Sequence, residues 1–149
     1  MKMYRFFNRI NSEITHLDHA INTNIILTYL FSDDYKSVIV DFNGPIGTPY
    51  ETSTYKIKFI LPPDYPFRRA DAFFIGDTPN HPFYSFDLDD PERDTRTTNL
   101  ANTDFGIFYG HYHPRFTLVD YIKEIQLSLS EYGTNSMKDY MQSYSWSLL

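Results

Sequence analysis

Two clusters of side chains capable of chemistry lie in the second half of the chain. Asp87, Asp89, Asp90, Glu92 and Asp94 crowd one short acidic run, and carboxylates of this kind can gather calcium. The glycine that a calcium loop needs for its sharp turn is missing, as is a closing bidentate glutamate at the right offset. A solvated acidic loop that steers a basic partner explains the run better, with Arg93 and Arg96 partly neutralising it. His111 and His113 flank Tyr112, a spacing that can place two imidazoles on one side of a strand for zinc. A third ligand would have to come from His81 or a carboxylate, so loop histidines that hydrogen-bond locally are the stronger reading. No metal or cofactor is expected. Cysteine is absent from all 149 residues, which removes disulfides and thiol chemistry alike.

The elements that must position these groups read clearly on either side of them. Met3, Phe6, Phe7, Ile10, Ile14, Leu17 and Ile21 recur at three- and four-residue steps, which predicts an amphipathic helix over roughly residues 2–18. Arg5, Asn8, Arg9, Ser12 and Glu13 are assigned to its polar face. Residues 24–31 are rich in Ile, Leu, Thr and Tyr, and Asp33-Asp34 makes a turn. Val38, Val40 and Phe42 then alternate with polar or outward positions, and Tyr55, Ile57, Phe59 and Leu61 alternate with a wet face holding Lys56 and Lys58. Ala72-Phe-Phe-Ile75 supplies a fourth short run. Short connections favour an antiparallel meander. From Gly76 to Thr117 no periodicity survives, and an irregular stretch of about 40 residues is uncommon inside a compact domain. Thr117 with Asp120 reads as a capping box that opens a helix carrying Leu118, Ile122, Ile125 and Leu129. Gly133 ends it, and Met137, Met141, Tyr144 and Trp146 suggest a short last helix.

Bulk properties narrow the class. The length fits one domain, residues 1–149, with enough chain to bury roughly 68–70% of its unfolded surface. A net charge of -6 argues against a nucleic-acid partner, because neutralising phosphates needs a basic face. No apolar run approaches the ~20 residues that span a bilayer, and the N-terminus lacks the apolar core of a signal peptide. A protein of the cytoplasm or nucleus, without membrane contact, is expected.

Four short motifs carry a family likeness. Gly44-Pro-Ile-Gly-Thr-Pro-Tyr50 follows the second strand and Pro62-Pro-Asp-Tyr-Pro-Phe67 follows the third. Asn80-His81-Pro82-Phe83 and His113-Pro114-Arg-Phe-Thr-Leu118 come later, in that order. From the residues alone, the glycines relieve the backbone, the prolines stiffen the bends, and Tyr65-Pro66-Phe67 makes an extended corner offering two rings to the core or to a partner. Together, over roughly residues 4–130, the motifs and the element order resemble the ubiquitin-conjugating enzyme family. The third is similar to that family's His-Pro-Asn element and the fourth to the entrance of its next helix. The resemblance implies an α+β fold: an N-terminal helix, a four-stranded antiparallel meander, and one or two C-terminal helices.

It also implies a site that this chain no longer equips. The family carries ubiquitin as a thioester on a cysteine. Counting back from Pro114 puts the nucleophile's place at Asp104, while counting forward from Phe83 puts it at Pro91; neither offers a thiol. Phe83 replaces the asparagine that helps stabilise the oxyanion in the family. Little chain remains after the helix opened by Thr117, as in the family's catalytically inactive variants. The expectation is therefore a non-catalytic variant, a binding subunit for ubiquitin or a ubiquitin-like protein, a catalytic conjugating enzyme or a ligase. The contacts expected from the resemblance are Arg5 and Arg9 on the first helix, Phe67 in the corner, and Pro114 with Arg115. Two alternatives stand beside it. A hydroxyl among Ser85, Thr95, Thr97, Thr98, Thr103 and Tyr109 could take the place of sulfur in an active transferase, although an oxygen ester donates poorly to lysine. Alternatively, Tyr84, Tyr109 and Tyr112 could line a peptide groove, although core packing explains those rings equally well.

Overall fold

A computed structural model describes residues 2–79, 97–99 and 112–131. Helix α1 (Lys2–Asn22) is followed by strands β1 (Thr28–Phe31), β2 (Ser37–Asn43), β3 (Thr54–Ile60), β4 (Asp71–Ile75) and β5 (Thr97–Asn99), then helix α2 (Leu118–Glu131). The strands form one antiparallel sheet in chain order, the meander that the short connections predict.

Alternation decides which face of the sheet turns inward. Val38, Val40 and Phe42 of β2, Tyr55, Ile57 and Phe59 of β3, and Ala72 and Phe74 of β4 are all buried. Register aligns them across strands, with Val40 opposite Ile57 and Ile57 opposite Phe74. Buried Leu118, Tyr121, Ile122, Ile125 and Leu129 of α2 and Ile10, Leu17 and Ala20 of α1 complete the same core. The Tyr121 ring meets Phe59 edge-on, with centroids 5.3 Å apart. Each fully buried Phe or Ile contributes about 1.5–3 kcal/mol relative to exposure.

The structure departs from the sequence expectation at the element ends. Helix α1 runs to Asn22 rather than residue 18, and β1 starts at Thr28 rather than near residue 24. The reason lies in the cap. Asn24 adopts a left-handed conformation (φ 61°), and the Asn24 and Ile25 N–H groups donate back to Ile21 and Ala20 carbonyls at 3.2 and 2.8 Å. That closes the last helical turn, and the apolar Ile25-Ile26 pair becomes a connection, with Ile26 buried. The sheet also extends past the expected four strands. Thr97–Asn99 pairs with Phe73–Ile75, and three residues are too few to show a period-two signal.

Turn chemistry holds the connections. Asp34, in the expected turn, accepts hydrogen bonds from the Lys36 N–H (3.0 Å) and the Ser32 hydroxyl (2.7 Å), and both hold its carboxyl below the ordinary range. Gly44 is needed for closeness rather than for an unusual φ, since a Cβ there would lie 1.9 Å from the Tyr50 carbonyl oxygen. Gly47, at φ 82°, does occupy the left-handed region. The Thr117–Asp120 capping box forms as read: the Thr117 N–H donates to Asp120 Oδ2 (2.8 Å), and the Asp120 N–H donates to Thr117 Oγ1 (3.3 Å).

Candidate docking surface

The corner loop after β3 is built from two turns, not from an extended segment. The Tyr65 N–H donates to the Pro62 carbonyl (2.9 Å), the Phe67 N–H donates to the Asp64 carbonyl (2.8 Å), and the Tyr65–Pro66 peptide is cis. The turns separate the two rings. Tyr65 is buried, whereas Phe67 is 72% exposed. Arg68 lies beside Phe67 and pairs with Asp64 at 3.2 Å on the surface.

Below the corner sits a residue that the sequence reading misplaced. Glu13, assigned to the polar face of α1, is fully buried. Its Oε1 accepts from the Tyr65 hydroxyl (2.7 Å) and from Arg9 Nε (2.9 Å), and its Oε2 accepts from the Leu118 N–H (2.9 Å). Three donors, one of them at a helix N-terminus, satisfy the oxygens of this buried carboxyl group. The signal was present: Glu13 falls three residues after Ile10 and four before Leu17, squarely on the buried stripe.

Arg9 completes the arrangement. Its Nη2 donates to the Phe116 carbonyl at 2.7 Å, and its guanidinium lies 5.5 Å from the centre of the Tyr65 ring. Partial burial works against its charge, yet the neighbouring Tyr65 and Glu13 raise its pKa above the ordinary arginine value. Arg9, one of the expected contact residues, is thus bonded within the protein to Glu13 and Phe116. Burial, followed by the adjacent Glu13 carboxylate, pushes the Tyr65 phenol far up.

The segment before α2 is tied to the same corner. The Tyr112 hydroxyl donates to the Pro66 carbonyl, and the Tyr112 ring packs against Phe116 and Tyr121. The Ala70 N–H donates to the Tyr121 hydroxyl at 3.1 Å, and burial raises the Tyr121 phenol strongly. His113 Nδ1 accepts the Arg115 N–H at 3.1 Å, the local bonding expected of a loop histidine. Pro114 is half-buried, and Arg5 and Arg115 are exposed. The hydrogen bonds thus join the loops carrying Phe67 and Pro114-Arg115 through α1.

Several positions named from sequence lie outside the described residues. They are the Asn80–Phe83 element, both nucleophile positions (Pro91 and Asp104), the acidic run 87–94, Ser85, Thr95, Thr103, Tyr84, Tyr109, His81, His111 and the last helix. Thr97 and Thr98 are placed on β5 by their backbone. Among the described residues no helix is long and apolar enough to cross a membrane, and no cluster of three or more potential metal ligands occurs.

No family model matches the chain. Curated relatives and solved structures do. Over 61 residues it is 34% identical to ubiquitin-conjugating enzyme E2 27 of Arabidopsis thaliana, covering 41% of this chain and 32% of that protein. Over 43 residues it is 33% identical to ubiquitin-conjugating enzyme E2 22 of the same plant, covering 29% of this chain and 17% of that one. The matched segments span less than half the length of the curated relatives. In three dimensions the chain is similar to the Plasmodium vivax ubiquitin conjugating enzyme E2, with a TM-score of 0.60, 22% identity, and coverage of 82% of this chain and 99% of that one. Human ubiquitin-conjugating enzyme E2 G1 gives a TM-score of 0.53 at 20% identity, covering 76% of this chain and 88% of the other. The chain therefore has the fold of the ubiquitin-conjugating enzymes.

Proposed function

We propose that this protein is a non-catalytic ubiquitin-conjugating enzyme variant, a binding subunit for ubiquitin or for a catalytic conjugating enzyme. One observation carries the reading: a ubiquitin-conjugating fold on a chain with no cysteine. Thioester transfer uses sulfur twice, as the attacking thiolate and as the group that leaves when a lysine amine takes the acyl carbon. An alkoxide is a much poorer leaving group, so a serine or threonine ester would hold its cargo rather than pass it on.

Docking survives the loss of the nucleophile because it needs only surface. An exposed aromatic ring flanked by arginines is the residue mix that dominates binding energy at interfaces. Phe67, with Arg5, Pro114 and Arg115, forms the contact surface in this reading. The internal bonds beneath it reduce the ordering that a partner must impose.

Titration of the full chain with ubiquitin, and separately with a catalytic conjugating enzyme, tests the proposal. Binding to at least one is expected, weakened about tenfold or more by Phe67→Ala. Absence of binding to both rejects it. Incubation with activating enzyme, ATP and ubiquitin should leave no transferable adduct; a base-labile adduct that passes its ubiquitin to lysine rejects the non-catalytic assignment.

A further inference from the structure

We infer that Glu13 is a positioning residue for the docking surface: its buried carboxylate joins the loop carrying Phe67 to the loop carrying Pro114 and Arg115, so that the two respond as one unit. The biological meaning rests on the docking reading above, but the mechanical claim can be tested without a partner.

The geometry is that of a bracket with two arms. Oε1 holds the corner through the Tyr65 hydroxyl, and Oε2 holds the start of α2 through the Leu118 N–H. Arg9, bonded to the same carboxylate, reaches across to the Phe116 carbonyl beside Arg115. The Tyr112 hydroxyl closes the ring from the other side at Pro66. Position 13 lies on the apolar stripe between Ile10 and Leu17, where an aliphatic side chain would bury without desolvating a charge. Buried ion pairs seldom outperform such a replacement in stability. What the carboxylate supplies and an aliphatic group cannot is a hydrogen-bonded link between two loops far apart in sequence. A partner suited to this surface would touch both loops at once, because engaging one finds the other already placed.

Amide hydrogen exchange in the intact protein provides the test. The Tyr65 and Phe67 amides report on the corner, and the Phe116 and Leu118 amides report on the entrance to α2. Val40 and Ile57, paired in the sheet, serve as references. Glu13→Gln keeps the shape but leaves one acceptor oxygen for donors that need two. It should accelerate exchange about tenfold at Phe67 and Phe116 together while leaving Val40 and Ile57 unchanged. Tyr65→Phe, which cuts only the corner arm, should also accelerate Phe116 and Leu118, by about threefold. Acceleration confined to the corner in Tyr65→Phe overturns the inference, because the arms are then independent. Equal acceleration at all sites, references included, also overturns it, since Glu13 would then be only a stabiliser of the whole fold. If the wild-type protein binds neither ubiquitin nor a conjugating enzyme, the docking reading fails and the exchange result still decides the coupling.

Discussion

Helix α1 makes two tyrosine–carboxylate hydrogen bonds of nearly equal length, one at each end of the environment range. Tyr29 donates to Asp18 at 2.6 Å on the surface, and Tyr65 donates to Glu13 at 2.7 Å in the interior. The first joins residues 11 apart in sequence, the second residues 52 apart. The atoms and distances match, but the consequences do not. When the outer bond breaks, water takes both partners; when the inner one breaks, a carboxylate and its other donors stay buried and underserved. Burial raises both phenols, Tyr29 to about 12 and Tyr65 further still.

Alkaline titration should separate the two bonds most widely. Both folded-state pKa values lie above the ordinary value of about 10, so the neutral phenols contribute their stability fully below that pH and lose it as the pH rises further. Tyr65 and Tyr121 should ionise only as far-ultraviolet circular dichroism is lost, followed together by near-ultraviolet absorbance. Smooth ionisation of every tyrosine in a folded protein would erase the contrast. Glu13→Ala should lower stability by about 3–5 kcal/mol in urea unfolding, because it leaves the Arg9 charge without its buried partner. Tyr65→Phe should cost about 1.5–3 kcal/mol, the range for a hydrogen bond to a charged group. Thr117→Ala removes a cap from the helix whose first amide Glu13 holds, and should cost about 1 kcal/mol by the same measurement. Tyr29→Phe should change stability by no more than about 0.5 kcal/mol, as surface substitutions usually do. A Tyr29→Phe effect equal to that of Tyr65→Phe would mean that exposure is not what distinguishes the bonds.

Much of the scaffold was legible because burial on one face leaves a period in the chain. Val38, Val40 and Phe42, then Tyr55, Ile57 and Phe59, announce their strands, and Thr117 with Asp120 announces the start of α2. The corner after β3 was legible only in part. Phe67 is exposed, while Tyr65 is buried and Arg9, assigned to the polar face, bonds to Phe116 and Glu13. β5 stayed hidden because three residues carry no pattern of their own and gain strand geometry only from β4.

Sequence alone therefore determined the α+β order, the inward faces of β2, β3 and β4, the helix cap and the absence of a thiol, since each can be read from residue types in place. Tertiary structure decided the fate of Glu13. Two of its three donors arrive from Tyr65 and Leu118, the latter 105 residues away, and no local period records which distant polar group will reach a buried carboxyl.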